Sequence, residues 1–387
     1  MLSIYIHFPF CRKKCVYCDF VSGWKLDKDL LDKYIKYLIK EISLFIEKYE
    51  INEEVISLYF GGGTPSLIEP KYLYNIVNLL CDKFKINLDK IEFSIEANPE
   101  DVNCEVAYEW KNIGINRVSL GFQSMNQNTL NFLGRNNTPQ ININSYFILK
   151  ELNFMNINID LIISIPNDNL KNSLENVLEL KPQHISTYNL SIEEKTLLYV
   201  KMKNKSFTPL NDNEYLHNYW YCNKLLKLNN YIHYEISNYA INDNYKSIHN
   251  LNYWNYGKFL GFGLGATGFI YKNENDFNGY RWNNYKILKD YFENLENNIL
   301  PIEDFEIINY KEAIKEYILL NLRKVDGLNL FDFFKFFKQD FNNIFDLKGI
   351  LKFNDYIEYN ENYIKLKKSG INVLNQIIIE FWNSMII

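Results

Sequence analysis

Short runs of β-branched and aromatic residues alternate with longer stretches of helical periodicity through the first half of the chain, and this alternation narrows the fold more than any other feature. Six apolar runs indicate strands at residues 3–8, 55–60, 91–97, 117–121, 157–163 and 184–190. Helical patterns lie between them at residues 28–48, 70–84, 102–113, 126–133 and 170–180. Repeated βα units favour a parallel sheet whose two faces are covered. The sequence therefore predicts an α/β fold built on a partial, TIM-like (β/α)6 barrel.

The pattern changes after about residue 200. A polar helical segment at residues 212–228 precedes an aromatic, glycine-punctuated stretch at residues 249–269. Beyond it we expect helices at residues 302–323 and 330–341, a short helix near Leu347, an extended pair at residues 356–365 and a last helix at residues 371–382. No element is placed on the asparagine-dense run at residues 136–144. Three regions follow: a core barrel at residues 1–235, a connector at residues 236–300, and a C-terminal, mostly helical and winged-helix-like domain at residues 301–387.

The charge balance limits the partners of the chain. It carries 42 basic and 47 acidic residues, a formal net charge of −5, so no overall positive field attracts nucleic acid or anionic lipid. DNA binding by the winged-helix-like region stays an alternative, although its main basic run covers only residues 365–368. No stretch approaches the roughly 18 apolar residues of a membrane span, and the N-terminus lacks a signal-peptide pattern. We expect a soluble cytosolic protein, a monomer or dimer that binds no nucleic acid, with peripheral membrane contact left open.

The cysteines are unevenly distributed. Three of the six, Cys11, Cys15 and Cys18, fall within eight residues, and in the cytosol such a cluster binds metal more often than it forms disulfides. With His7 as a fourth ligand they fit a zinc site. Three soft thiolates on one loop also suit an iron-sulfur cluster with one iron left open to an external ligand. Free thiols are the third reading.

Polar residues follow several of the predicted strands, where a βα barrel gathers its functional groups. Strand two ends in GGGTP at residues 61–65, whose glycines either let a ligand approach the backbone or form a tight turn. Glu96, Gln123 and Asp160 lie on or after strands three, four and five. Because a buried carboxylate is costly unless it is paired, we expect Asp160 to meet a polar ligand or Arg135, or to form an internal ion pair.

The cysteine spacing, C-x3-C-x2-C in CRKKCVYC, together with the flanking IHFPFC and Tyr17, resembles the signature of the radical S-adenosylmethionine (SAM) superfamily. The resemblance implies a 4Fe-4S cluster whose open iron chelates the amino and carboxylate groups of SAM. It also implies that an electron from the reduced cluster cleaves SAM to a 5'-deoxyadenosyl radical, so that the cofactor supplies the chemistry and the protein supplies binding and orientation.

Within that superfamily the chain is similar to the oxygen-independent coproporphyrinogen III oxidase family. The matching motifs are GGGTPS, SIEANP, GFQS, the Gly134-Arg135 pair and IDLIISIP. The resemblance implies that Tyr5, Gly62 and Glu96 contact SAM. It further implies that the rest of the pocket, where the oxidase holds a second SAM, is lined by Tyr17, Gly63, Thr64, Gln123, Arg135 and Asp160. No catalytic residue is assigned.

Two departures from the oxidase pattern point to its sister group, the HemW heme chaperones. Phe20 stands where the oxidase has a fourth cysteine, and only ten residues precede Cys11. The segment from His249 to Trp254 matches that group's H-N-x-x-Y-W motif. The resemblance implies a protein that binds heme, with His249 as the hypothetical ligand and His233 or Cys222 as alternatives.

The partners implied are a heme-acceptor protein and a cellular electron donor. We expect no coproporphyrinogen oxidase activity, while cleavage of SAM stays open. Oxidative decarboxylation of coproporphyrinogen III to protoporphyrinogen IX is the alternative function.

Overall fold

The computed structural model describes residues 1–273, 277–346, 349 and 352–386. Its first half contains six strands: β1 (Leu2–Phe8), β2 (Val55–Gly62), β3 (Glu92–Ala97), β4 (Arg117–Gln123), β5 (Asn156–Ile162) and β6 (His184–Tyr188). Each pairs in parallel with the next, so the six βα units form the expected incomplete barrel. The α/β fold and the partial (β/α)6 architecture are confirmed.

The helices of this half cover the outer face of the strands. They are α1 (Lys28–Lys48), α2 (Pro70–Phe84), α3 (Cys104–Ile113), α4 (Gln127–Leu133), α5 (Pro139–Glu151) and α6 (Leu170–Leu180). Leu31, Leu38 and Ile42 on one stripe of α1 are buried, as are Ile4 and Ile6 on β1. Burial of each such side chain contributes about 1.5–3 kcal/mol, which holds helix and sheet together.

Helix α5 was not expected from the sequence, because the run at residues 136–144 is rich in asparagine, a weak helix former. Thr138 caps the helix by accepting from the backbone N–H of Ile141, and Pro139 occupies the first turn. Asn142 is fully buried and donates to the backbone carbonyl of Ser124. Capping and burial thus override propensity in this segment.

The second half widens the same sheet. It contains α7 (Leu197–Lys203), α8 (Asp212–Leu228), β7 (Ile232–His233), β8 (Asn238–Ala240), α9 (Ile248–Trp254), β9 (Lys258–Phe262), β10 (Thr267–Asn273), β11 (Phe277–Asn284), α10 (Leu288–Glu296) and β12 (Ile302–Ile308). Strand β9 lies parallel to β1, and β10, β11 and β12 follow in antiparallel order. At the other edge, β8 and β7 pair antiparallel beyond β6. The segment at residues 236–300 therefore supplies strands to the barrel sheet.

The C-terminal part has its own core. It consists of α11 (Tyr310–Asn321), β13 (Leu328–Asn329), α12 (Leu330–Phe337), α13 (Phe341–Ile344), β14 (Ile357–Tyr359), β15 (Tyr363–Leu366), α14 (Lys368–Ile371) and α15 (Leu374–Asn383). The strands form a small antiparallel sheet in the order β13-β15-β14. Helices with a β hairpin agree with the winged-helix-like expectation. The short helix expected near Leu347 falls outside the described residues.

One C-terminal prediction is wrong. The expected helix at residues 302–323 begins only at Tyr310, because residues 302–308 pair with β11 as an outer strand. Asn309 and Glu312 form a capping box that starts α11 at this point. In the part of the chain that the structure describes, no helix is long and apolar enough to cross a membrane.

Candidate functional site

A cavity of about 580 Å³ opens at the carboxyl ends of the parallel strands. Parallel strands bring their carboxyl ends to one edge, so loops distant in the sequence meet there. The predicted site residues that line the cavity are Cys11, Cys15, Tyr17, Cys18, Gly62, Gly63, Thr64, Glu96, Gln123, Arg135 and Asp160. Two predicted residues, Tyr5 and His249, are not among its lining residues.

The three cysteines lie on the loop between β1 and α1. Thr64 donates from Oγ1 to Sγ of Cys11 at 3.4 Å, and the Arg135 guanidinium lies 3.9 Å from Sγ of Cys15. Burial raises the pKa of the Cys11 thiol, so a cation is needed to keep it ionised. Donors aimed at sulfur and a neighbouring guanidinium suit thiolates that ligate an iron-sulfur cluster, whose charge such groups moderate.

His7 is already engaged, which bears on the zinc interpretation. Its Nδ1 hydrogen-bonds the Tyr5 hydroxyl at 3.0 Å, and its Nε2 donates to the carbonyl of Val21 at 2.7 Å. A fourth zinc ligand at this ring would have to break one of these bonds. Among the residues described, no three His, Cys, Asp or Glu side chains converge on one metal-ion position.

Glu96 is an acid of the cavity whose carboxylate is held by two hydrogen bonds. Its two carboxylate oxygens accept from the Tyr59 hydroxyl at 2.9 Å and from the backbone N–H of Gly62 at 3.1 Å. Burial nevertheless raises its pKa to about 7, and the nearby Asp160 carboxyl adds to the rise. A cationic group entering the cavity would stabilise the ionised form.

Close packing at the end of β2 leaves no room for a side chain at the glycine positions. Gly62 has φ of +110°, and a Cβ there would lie 2.5 Å from Cε1 of His7. At Gly63 a Cβ would lie 2.6 Å from the carbonyl oxygen of Phe10. The glycines therefore pack tightly against the loop after β1, as the turn alternative requires, and they also line the cavity. Approach of a ligand to their backbone stays a prediction.

Asp160 does not pair with Arg135. Its carboxylate accepts from Ser119 Oγ at 2.9 Å and from Asn158 Nδ2 at 2.8 Å, and burial raises its pKa. Arg135 donates instead to Asn98 at 2.7 Å and to a main-chain carbonyl at 2.9 Å. Asp160 thus forms internal hydrogen bonds while it lines the cavity, and its contact with a polar ligand stays a prediction.

Tyr5 lies beside the cavity rather than in its wall. Its ring stacks on that of Tyr59 at 6.0 Å between centroids, and it is Tyr59 that reaches the cavity. Tyr59 was not predicted from the sequence, and neither were the lining residues Asn98, Ser119 and Tyr188. The signal for Asn98 was available, since it follows Glu96 within the SIEANP motif. Gln123 ends β4 with φ of +65°, a strained conformation of the kind found at functional sites.

Phe20 lies at the mouth of the cavity and is 65% exposed. Because most of the Phe20 ring stays in contact with solvent, its burial contributes little free energy to folding. The position that carries a cysteine in the oxidase pattern thus presents an apolar ring at the cavity entrance.

His249 lies elsewhere, on helix α9 beneath the barrel interior. Glu92, at the start of β3, accepts from the backbone N–H groups of Ile248 and His249 and so caps this helix. The His249 ring hydrogen-bonds Ser57 through Nδ1 and Tyr253 through Nε2, both at 2.9 Å, and it is 2% exposed. Both ring nitrogens are therefore satisfied, and burial lowers the pKa of His249 to about 3.

Comparison with known proteins agrees with this geometry. The model of the radical SAM superfamily matches residues 5–180. The chain is 30% identical over 386 residues to heme chaperone HemW of Lactococcus lactis, with 98% of this chain and 97% of that protein covered. Heme chaperone HemW of Buchnera aphidicola is 35% identical over 359 residues, with 83% and 92% covered. Coproporphyrinogen III oxidase (HemN) from Escherichia coli, a radical SAM enzyme, matches with a TM-score of 0.82 and 21% identity over 98% of this chain and 89% of its own.

The partial barrel, its cysteine loop and the matching superfamily model place the chain among radical SAM proteins. The likeness to HemN, at 21% identity, describes the fold. The chain is 30% identical to a HemW protein over nearly the whole length of both. It therefore belongs to the HemW family.

Proposed function

We propose that this chain is a cytosolic radical SAM heme chaperone, which binds a 4Fe-4S cluster and SAM, binds heme, and transfers the heme to an acceptor protein. The observation that carries the proposal is one cavity in which Cys11, Cys15 and Cys18 face Glu96 and the glycine-rich end of β2. The heme part rests on relatives that bear the name heme chaperone.

Different residues of the cavity would bind the cluster and SAM. The three thiolates would hold the cluster, and the Arg135 guanidinium beside Cys15 would offset its negative charge. Glu96 offers a hydrogen-bond acceptor to the ribose hydroxyls or the amino group of SAM, and its bonds to Tyr59 and Gly62 hold the carboxylate in place beforehand. When bound, the cluster supplies the electron that cleaves SAM.

Other lining residues would close the pocket around these groups. Tyr17, Gly63, Thr64, Gln123 and Asp160 surround the remaining space, and burial raises the pKa of the Tyr17 hydroxyl, which keeps it neutral. Asp160 adds a second acidic group opposite the cysteine loop. Neutral hydroxyls and two ordered carboxyls suit a cationic, hydrogen-bonding ligand such as SAM.

For heme, His249 remains the ligand that the family motif predicts. In this conformation it would have to leave Ser57 and Tyr253 before either nitrogen could reach an iron atom. The division into a barrel at 1–235, a connector at 236–300 and a C-terminal domain at 301–387 is retained as part of the proposal, with the connector carrying this motif.

Anaerobic reconstitution tests the cofactor part. We expect about four iron atoms per chain, as a 4Fe-4S cluster requires, and spectral changes on addition of SAM. Zinc without iron would contradict the cluster. Hemin titration followed by incubation with a heme-free acceptor then tests the chaperone part, which predicts binding and transfer. A chain that binds no hemin, or never releases it, is not a chaperone.

The alternative, coproporphyrinogen III oxidase, is tested with the same preparation. The loaded chain is incubated with coproporphyrinogen III, a reductant and SAM, and the tetrapyrroles are separated. We expect no protoporphyrinogen IX, whose appearance would replace the chaperone assignment with the oxidase.

A further inference from the structure

A second cavity, of about 700 Å³, lies between helix α8 and the C-terminal part, and it shares no lining residue with the first. Its volume falls within the roughly 300–1,000 Å³ of ordinary ligand sites. One wall is a single face of α8, since the lining residues recur every three or four positions: Asn213, Leu216, His217, Trp220, Tyr221, Asn223, Lys224 and Lys227. The opposite wall includes Val325, Leu366, Lys368 and Ile371. We call this space the α8 groove.

The two walls of the α8 groove are tied to each other. Trp220 donates from Nε1 to the side-chain oxygen of Asn372 at 3.0 Å, and the Lys368 ammonium lies 4.6 Å from the centroid of the Trp220 ring. Further along, the backbone N–H of Val325 donates to the carbonyl of Tyr234 at 3.0 Å. These contacts join the barrel to the C-terminal part around the groove, so the groove is preformed.

His217 differs from the other histidines in the hydrogen bonding of its ring nitrogens. Four of the five histidines are buried and have ring nitrogens that hydrogen-bond other groups: His7, His184, His233 and His249. His217 is exposed, lines the groove and forms no hydrogen bond with any residue that the structure describes. A nitrogen must be free to ligate iron, and His217 meets this condition without rearrangement.

The charges and faces of the groove fit one class of ligand. Lys224, Lys227 and Lys368 carry positive charge, and none of the described residues that line the groove is acidic, in a chain whose net charge is −5. Trp220 and Tyr221 offer aromatic surface between the lysines and His217. A flat apolar macrocycle with two carboxylates and a central iron, that is, heme, matches all three features.

We propose that the α8 groove is a heme-binding site in which His217 ligates the iron and lysines receive the propionates. The proposal rests on the proposed function, since it assumes that the chain takes up heme, and it names a site that the family motif does not. It places heme apart from the SAM cavity, against both the barrel and the C-terminal part. Heme bound there would be reachable by an acceptor without opening the barrel.

Hemin titration of the full, cluster-loaded chain tests the proposal, using absorption and electron paramagnetic resonance spectra under anaerobic conditions. For His217→Ala we expect the hemin dissociation constant to rise tenfold or more, with loss of the histidine-ligated spectrum and its recovery on adding imidazole. For His249→Ala we expect an unchanged spectrum. Because His217 is exposed, its variant should keep the wild-type unfolding temperature.

A charge reversal provides a second, independent measurement. Lys224→Glu combined with Lys227→Glu should weaken hemin binding at least tenfold, but should not affect hemin dimethyl ester, which lacks the anionic carboxylates. Lys90→Glu, at an exposed lysine that does not line the groove, is the control for a charge reversal elsewhere. It should bind both ligands as the wild type does.

The outcomes separate the two proposals. If wild type binds hemin and only His249→Ala loses the ligand spectrum, the α8 groove is wrong and the proposed function stands. If His217→Ala and the lysine pair both bind hemin normally, the groove is likewise overturned. If wild type binds no hemin, the proposed function fails and the groove proposal fails with it.

Discussion

Glu96 on β3 accepts a hydrogen bond from the backbone N–H of Gly62, at the end of the neighbouring strand, at 3.1 Å. The bond connects the glycine-rich turn to the acid that faces the cavity. Tyr59 holds the other carboxylate oxygen, so the orientation of the acid depends on two groups of β2. Orientation before binding saves the entropy that a mobile side chain would lose.

Replacement of this acid should weaken SAM binding. In Glu96→Gln we expect the SAM dissociation constant of the cluster-loaded chain to rise about ten- to a hundredfold, because a hydrogen bond to a charged group contributes about 1.5–3 kcal/mol. Equilibrium binding measures it. Glu105→Gln, an exposed acid on α3, is the control. Equal affinity in both variants would remove Glu96 from the SAM site.

The cysteine loop offers a comparison between cysteines within one chain. Cys15→Ala should lose the cluster, since three ligands already leave one iron open and two cannot hold it. Iron content and the visible spectrum after reconstitution measure the loss. Cys104→Ala, which removes an exposed free thiol, should retain wild-type iron. A Cys15→Ala chain with full iron content would contradict the assignment of the ligands.

The turn after β2 can be tested with two glycines that share a positive φ. Gly62 has φ of +110° and Gly23 has φ of +108°, a region that disfavours alanine at both positions. At Gly62 the new Cβ would meet the His7 ring at 2.5 Å, whereas at Gly23 it would meet the flexible Lys14 side chain at 3.1 Å. Gly62→Ala should therefore lower the free energy of unfolding by about 1–3 kcal/mol more than Gly23→Ala. Urea unfolding of the two variants measures the difference, and equal losses would mean that the His7 ring moves aside at no cost.

Burial of Glu41 makes its contribution to stability fall as the pH rises. The buried histidines act in the opposite direction, since burial lowers the pKa of His249 to about 3 and the pKa values of His7 and His233 to about 4. Glu41 is 2% exposed, and burial raises its pKa from 4.5 to about 7 although Tyr291, Gly263 and Asn284 donate to it. The folded state therefore binds a proton more tightly than the unfolded state. Its contribution, roughly 3 kcal/mol, is fully present below pH 4.5 and is lost as the pH rises through 7.

Urea unfolding between pH 5 and 8 tests this dependence. The difference in the free energy of unfolding between wild type and Glu41→Gln isolates this group from the histidines and from Glu96 and Glu235, whose pKa values burial also raises to about 7. We expect this difference to fall by about 2–3 kcal/mol between pH 5 and 8. Glu47→Gln, a control on the same helix, should keep the wild-type slope. A difference between wild type and Glu41→Gln that stays constant over this pH range would contradict the prediction.

Much of the barrel could be predicted because its signals are local. The bounds of α1, α2, α6 and α8 follow from periodicity and end signals, and the structure reproduces them. Strand β12 could not be recognised in this way, since its acidic, exposed sequence becomes a strand only by pairing with β11. Helix α5 was missed for a related reason, as burial of Asn142 compensates for a poor helix-forming sequence.

The site residues likewise divide into those predictable from local sequence and those that depend on tertiary contacts. Glu96, Asp160 and the cysteines could be placed from strand ends and spacing, because the carboxyl ends of parallel strands converge by geometry. The hydrogen-bond partners of Arg135 could not be predicted in this way. The sequence allows either Asn98 or Asp160, and only the packing of the side chains determines that Arg135 donates to Asn98.

By itself the sequence determined the six βα units, the loop with three cysteines and the family to which the chain belongs, because these depend on residues near one another. Tertiary structure alone decided that β9 lies beside β1, that His249 is enclosed by Ser57 and Tyr253, and that His217 faces a groove without a hydrogen bond to any described residue. The reason is physical: the hydrogen-bond partners and exposure of a side chain are set by segments that lie far away along the chain and meet only on folding.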